Sequence, residues 1–254
     1  MSHIITETRD RVLRIEIART DKKNALTQDM YRAMSQALVA ADADAQVRAI
    51  LIHGTKDCFT AGNDLKDFLD RPPHTGPAAS FDFISGLPKV AKPLVAAVGG
   101  PAVGVGTTML LHCDLVYASP NARFQMPFVP LGLVPEAASS LLLPMIAGYQ
   151  RAAELLMLGQ PFTAEKALAA GFVTEIVPED KLLEHARRAA AAIAALPPAS
   201  VRLTKQLMKR QHGQAVSAQM EEESRIFAER LGSGEAKEAM TAFFEKRKPD
   251  FSRF

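Results

Sequence analysis

The sequence predicts an α/β domain that ends in a helical portion, and three observations carry that expectation. Short apolar runs, of the kind buried on both sheet faces, recur through the first half of the chain. Helical patterns stand between them. From Glu136 onward strand patterns nearly vanish, leaving only Val173 to Val177. Strand–helix alternation followed by a run of helices describes an α/β core with helices gathered at the C-terminal end.

Each element has its own warrant. Ile4 to Thr8, then Val12, Leu13, Ile15 and Ile17, alternate apolar and polar around a polar Arg9-Asp-Arg11 turn, which reads as a β-hairpin. Lys22-Lys-Asn-Ala-Leu26 is a polar connection, and Thr27 is a credible N-cap for a helix running to about Ala43. Ala49 to His53 reads as a short strand buried on both faces. Arg71-Pro-Pro-His-Thr-Gly-Pro77 has the composition of a loop or mobile lid. Lys92 to Val98 is another buried strand, followed by a Gly-rich turn and an apolar helix through about His112. Leu115 to Ala118 is a further strand. The remainder is helical, alanine-rich from 185 to 195 and amphipathic from 200 to 246.

Composition narrows the function classes. With 254 residues and 48% hydrophobic side chains the chain can bury a sizeable core. A formal net charge of +2 is too mild to imply nucleic acid, so an anionic partner should meet a local basic patch. Two cysteines, Cys58 and Cys113, form neither a disulfide framework nor a metal-ligand pattern and fit a reducing compartment. The six histidines, at 3, 53, 74, 112, 185 and 212, lack ligand spacing, and His112 reads as a satisfied core residue. No run approaches the roughly 20 apolar residues that span a bilayer. With no basic leader before Ile4 and no Ser-Lys-Leu ending, the expected location is cytoplasmic, with no membrane partner.

Three segments could carry chemistry. Cys58-Phe-Thr-Ala-Gly-Asn-Asp-Leu65 is a small-residue turn after a strand; it could present backbone N–H groups to negative charge, or be an ordinary turn capped by Asn63 or Asp64. Gly99 to Thr107 is a second such turn. It is not a dinucleotide fingerprint, because Met109 stands where the third glycine belongs. In Pro127-Phe-Val-Pro-Leu-Gly-Leu-Val-Pro-Glu136, Pro135 suits the first helical position. Glu136 could then simply complement a helix dipole. The sharper reading is a lone carboxylate among Phe128, Val129, Leu131, Leu133 and Val134, whose apolar surroundings would raise its pKa and its basicity. Neither a Gly-x-Ser-x-Gly elbow nor a His-Glu-x-x-His zinc helix occurs.

Taken together, Asp21-Lys-Lys-Asn-Ala-Leu26, Phe59-Thr-Ala-Gly-Asn-Asp-Leu65, Lys92-Pro93, Gly100-Pro-Ala-Val-Gly-Val-Gly106 and Cys113-Asp-Leu-Val-Tyr-Ala118 resemble the crotonase (enoyl-CoA hydratase/isomerase) superfamily. Ala164-Glu-Lys-Ala-Leu-Ala-Ala-Gly-Phe-Val173 and Phe243-Phe-Glu-Lys-Arg-Lys-Pro-Asp-Phe251 extend the likeness over essentially the whole chain. The resemblance implies a ββα spiral core over residues 1–195 and a C-terminal helical trimerisation region over 196–254, in a homotrimer or dimer of trimers. It implies an acyl-CoA thioester as substrate, CoA being part of that substrate and no further cofactor or metal needed.

The same resemblance makes the backbone N–H groups of Ala61 and Val105 an oxyanion hole. It places Thr108 and Phe128 where true hydratases carry their two glutamates, and a glutamate instead at Glu136, as in peroxisomal-type Δ3,Δ2-enoyl-CoA isomerases and their bacterial relatives. A single base would then shift a 3-enoyl-CoA double bond to the trans-2 position in fatty-acid β-oxidation. CoA contacts are implied for Lys22, Lys23, Leu26, Ala61, Gly62, Asn63, Asp64 and Leu65. Phe128 is implied to line the substrate site, and Phe244 and Lys246 to meet adenine and phosphate from this or a neighbouring subunit. The alternatives are another crotonase reaction on acyl-CoA, such as hydration or hydrolysis, and a non-catalytic CoA-binding module.

Overall fold

A computed structural model describes residues 3–64 and 79–254. Leu65 and the 71–77 segment expected to be a loop or lid lie outside them. The hairpin forms as its alternation predicts: β1 (Ile4–Arg9) pairs antiparallel with β2 (Val12–Ile17), Ile4 opposite Ile17 and Arg9 opposite Val12. Asp10 and Arg11 close it with φ of 52° and 64°, the left-handed pair that matches the twist of a two-residue turn. Thr27 caps α1 (Gln28–Ala43), its hydroxyl accepting the Met30 N–H at 3.3 Å.

Next come β3 (Ala49–His53), α2 (Ala79–Gly86), β4 (Leu94–Val98), β5 (Pro101–Val103), α3 (Val105–Thr108), β6 (Leu115–Ala118) and β7 (Arg123–Gln125). The large sheet runs β1-β2-β3-β4-β6-β9, parallel after the hairpin, where β9 is Glu175–Ile176. A small sheet joins β5, β7 and β8 (Phe162–Thr163). The pairs β4–β5 and β6–β7 each give their first strand to the large sheet and their second to the small one, which is the ββα spiral.

Period-two alternation sorts the large sheet's side chains onto two faces. Ile50, Ile52, Leu94, Ala96 and Val98 join the main core with Tyr31 and Met34 of α1. Ala49, Leu51, Val95 and Ala97 face α7 (Leu182–Ala195), which meets them with Leu182, Ala186, Ala190 and Ala194, one residue per turn. The remaining helices are α4 (Ser139–Ala147), α5 (Tyr149–Ala153), α6 (Ala164–Ala169), α8 (Pro198–Arg210), α9 (Gly213–Leu231) and α10 (Gly234–Phe244).

Four expectations need correction. The strand expected from Lys92 starts at Leu94, because the Lys92 ammonium is turned inward onto the carbonyls of Ala41 and Asp44. The helix expected through His112 is α3 followed by a 3-10 turn, Met109–His112. The Val173–Val177 strand shrinks to β9, while β5, β7 and β8, two or three residues each, carry too few residues to show alternation. Glu136 is not in the first turn of a helix. Ala137 and Ala138 are left-handed, with φ of 61° and 53°, and α4 begins only at Ser139.

Candidate active site

The loop after β3 is threaded between two neighbours that fix its register. On one side Ala61 N–H donates to Lys23 O at 3.0 Å, Leu26 N–H to Gly62 O at 2.8 Å and Asp64 N–H to Leu26 O at 2.9 Å. On the other, Thr60 N–H donates to Pro101 O and Val103 N–H to Thr60 O, both at 3.0 Å. Asn24, wholly buried, fastens the corner: its amide donates to Cys58 O at 2.8 Å and Phe59 O at 3.2 Å, and its oxygen accepts the Arg19 N–H at 2.8 Å. Gly62 must be glycine, since at φ 86° a Cβ would stand 2.7 Å from Val103 O.

That ladder corrects the expected oxyanion pair. Bonds alternate along a β-like strand, so Ala61 spends its N–H on Lys23 and has none to offer. The next unspent donor is Asn63, whose N–H makes no hydrogen bond among the described residues. Val105, the first residue of α3, also keeps its N–H unpaired among them, as the start of a helix dictates. Gly104 delivers the chain to that point with φ 57° and ψ −120°, a conformation suited to glycine.

These groups border a cavity of about 750 Å³. Of the residues expected there, Lys22, Ala61, Gly62, Asn63, Asp64, Val105, Phe128, Glu136 and Phe244 line it. Lys23, Leu26 and Lys246 do not: Lys23 contributes its carbonyl to the ladder, Leu26 is buried in the core, and Lys246 lies just past the end of α10. Leu131 and Leu133, expected around Glu136, join Phe243 and two residues that the sequence did not single out, Phe227 and Met240, in an apolar wall. Phe227 of α9 and Met240 and Phe243 of α10 lie more than 90 residues from Glu136 in sequence, and nothing in the amphipathic pattern of these helices marks a side chain as cavity-facing rather than core. Among the described residues no group of three His, Cys, Asp or Glu side chains is placed to hold a metal ion.

Among the described residues the cavity is lined by two acids, and their states differ. Asp64 is ion-paired with Arg19 at 2.6 Å. Glu136 is 5% exposed and makes no ion pair among the described residues. Burial pushes its carboxyl up to about 8, and the nearby charge of Glu223 adds to the rise. The Thr108 hydroxyl lies beside it and opposes the shift, but falls short of a hydrogen bond: Thr108 Oγ1 and Glu136 Oε1 are both buried without a partner among the described residues. Tyr31, fully buried beneath, donates its hydroxyl to Asn63 Oδ1, and burial with the charge of Glu136 keeps that phenol protonated.

The turn after Glu136 is held from two sides. His112 bonds through Nε2 to Ala137 O at 2.8 Å, and burial lowers its pKa to about 4, so the neutral ring donates that bond. Glu223 of α9 accepts the N–H groups of Ala138 at 2.6 Å and Ser140 at 3.0 Å. The helix cap that Glu136 could have supplied is therefore Glu223. Two left-handed alanines cost roughly 1–2 kcal/mol each, which these bonds must offset.

Residues 7–253 match the family model described as Enoyl-CoA hydratase/isomerase. The chain is 33% identical over 251 residues to enoyl-CoA delta isomerase 2 of Homo sapiens, covering 96% of this chain and 64% of that protein. It thus spans a little under two thirds of the human relative's length. It is 34% identical over 256 residues to a probable enoyl-CoA hydratase of Rhizobium meliloti (strain 1021), covering 98% of this chain and 97% of the other. Among solved structures, an enoyl-CoA hydratase/isomerase from Pseudoalteromonas atlantica T6c superposes with a TM-score of 0.94 at 44% identity, over 98% of this chain and 100% of that one. Isomerase and hydratase names occur at the same level of identity, so the choice between them falls to the cavity's residues.

Proposed function

This chain belongs to the enoyl-CoA hydratase/isomerase family, and we propose that within it the protein is a Δ3,Δ2-enoyl-CoA isomerase of fatty-acid β-oxidation with Glu136 as its single base. The observation that carries the reading is the solitary state of Glu136, the one lining carboxylate among the described residues without an ion pair. Thr108 and Phe128, where the family resemblance would put a hydratase's two glutamates, offer no carboxylate to activate water.

The reaction then needs one proton moved twice. Glu136 takes a proton from C2 of a 3-enoyl-CoA, and the C–H electron pair passes into a dienolate whose negative charge rests on the thioester oxygen. The N–H groups of Asn63 and Val105 receive that oxygen; one such donor is worth about 2.7–4 kcal/mol in comparable sites. The same carboxyl returns the proton to C4, and the double bond settles between C2 and C3. An apolar wall that keeps water out protects both the intermediate and the proton.

CoA would enter past Lys22 and the 61–64 loop, with the acyl chain against Phe128, Leu133, Phe227 and Met240. Phe244 belongs to this chain's own cavity wall, so adenine contact through it needs no neighbouring subunit. The reading brings the family's homotrimer or dimer of trimers with it. Mixing the protein with a trans-3-enoyl-CoA should raise the absorbance of the conjugated thioester at unchanged mass, and Glu136→Gln should lose about 10²–10⁴-fold in kcat. A product heavier by one water would make the protein a hydratase instead.

A further inference from the structure

Glu223 is a second buried acid beside the cavity, 4% exposed, and the proton transfers above give it no part. Its placement is not incidental. Oε2 accepts the Ala138 N–H at 2.6 Å, and Oε1 accepts the Ser140 N–H at 3.0 Å together with the Ser140 hydroxyl. Gln219, one turn earlier on α9, donates to the same hydroxyl oxygen at 2.8 Å. From the opposite side His112 holds Ala137 O, and the Ser139 hydroxyl donates back to Glu136 O at 2.6 Å.

The two residues so gripped are the left-handed alanines directly after Glu136. L-residues leave that conformation unless their surroundings forbid it. Were Ala137 and Ala138 to relax to right-handed helical angles, α4 would extend backwards through Glu136 and turn its carboxyl to a new direction. We propose that Glu223 is a positioning residue for Glu136: by holding the Ala138 and Ser140 N–H groups it fixes the turn that aims the Glu136 carboxyl into the cavity. The inference rests on the reading of Glu136 as the base.

A plain helix cap would act on stability alone, and two variants separate the roles. Glu223→Asp keeps the charge and withdraws it by one methylene. Glu223→Gln keeps the reach, removes the charge and turns one acceptor into a donor that meets an N–H. Among the described residues the groups facing Glu136 are Glu223 from α9, Tyr31 from α1, Thr108 from α3 and, through Ala137, His112 from the turn after α3. Tyr31 and His112 are both uncharged, so Glu223 is the anion whose removal favours ionised Glu136.

The test follows isomerase kinetics on a 3-enoyl-CoA from about pH 6 to 9, alongside an infrared titration of the Glu136 carboxyl band, identified by its loss in Glu136→Gln. Both Glu223 variants should lower kcat about 10–100-fold, with KM changed less than about threefold. Glu223→Gln should also move the Glu136 titration, and the rising limb of kcat/KM, to lower pH. Unchanged kcat and an unchanged band titration, with only thermal stability lost, would reduce Glu223 to a cap and overturn the proposal. Ser140→Ala is the milder probe if both changes unfold the protein, and wild-type kcat there counts against the proposal too. The infrared arm needs no turnover: a shifted band in a protein without isomerase activity would remove the proposed reaction and leave the role of Glu223 standing.

Discussion

A carboxyl group held near 8 is a strong base that spends most of its time protonated at neutral pH. Only the ionised form can accept the C2 proton, so kcat/KM should rise with pH and reach half its plateau near pH 8, a value read from a steady-state pH profile. A flat profile between pH 6 and 9 would contradict the stated environment of Glu136. The same shift has a stability consequence of fixed sign. The folded-state pKa lies above the unfolded one, 4.5, so the folded protein binds more protons between the two, and stability falls as pH rises through that window. At pH 8.5 Glu136→Gln should therefore resist urea better than wild type, by roughly 1–4 kcal/mol; near pH 4 the advantage should vanish. Glu136 itself was legible in the sequence, as an acid within an apolar run. The unspent N–H of Asn63 was not. Ala61 and Asn63 are two residues apart, and which N–H is spent depends on the Lys23–Leu26 segment beside them, a pairing that sequence alone does not register.

At the scale of elements, legibility followed length. The hairpin, α1, β3 and β6 each carry four or more patterned residues and stand where their patterns put them. The three strands of the small sheet are too short to show a period, and the start of α4 was misplaced because a proline–acid signal was overruled by a turn that distant side chains hold. The packing of α7 gives an independent test. Ala186, Ala190 and Ala194 are nearly inaccessible against the sheet, so Ala190→Leu should overpack and cost about 1–3 kcal/mol in denaturant unfolding. Wild-type stability there would mean that the helix stands off the sheet. Gly62→Ala should act on activity as well. With φ at 86° and Val103 O only 2.7 Å from the new Cβ, the loop must shift, and kcat should fall by about 10-fold or more as Asn63 moves with it.

For the molecule as a whole, Met145, Ile146, Tyr149, Met157 and Leu158 are exposed large apolar side chains on the consecutive segment from α4 to the π-helical turn after α5. The proposed assembly would give them a partner. Light scattering should then report a multiple of 27.5 kDa divisible by three, and Tyr149→Glu should shift it toward the monomer; a monomeric wild type would leave that patch for some other use. The unspent N–H groups, finally, make the protein its own reporter. An amide proton bonded within a stable ladder must wait for that ladder to open before it exchanges with solvent, and one facing an empty cavity does not. In deuterated water the Asn63 and Val105 amides should lose their protons early while Ala61, a neighbour on the same loop, retains its own. A bound thioester would slow exchange at both unspent amides, an isotopic signature of where its oxygen rests.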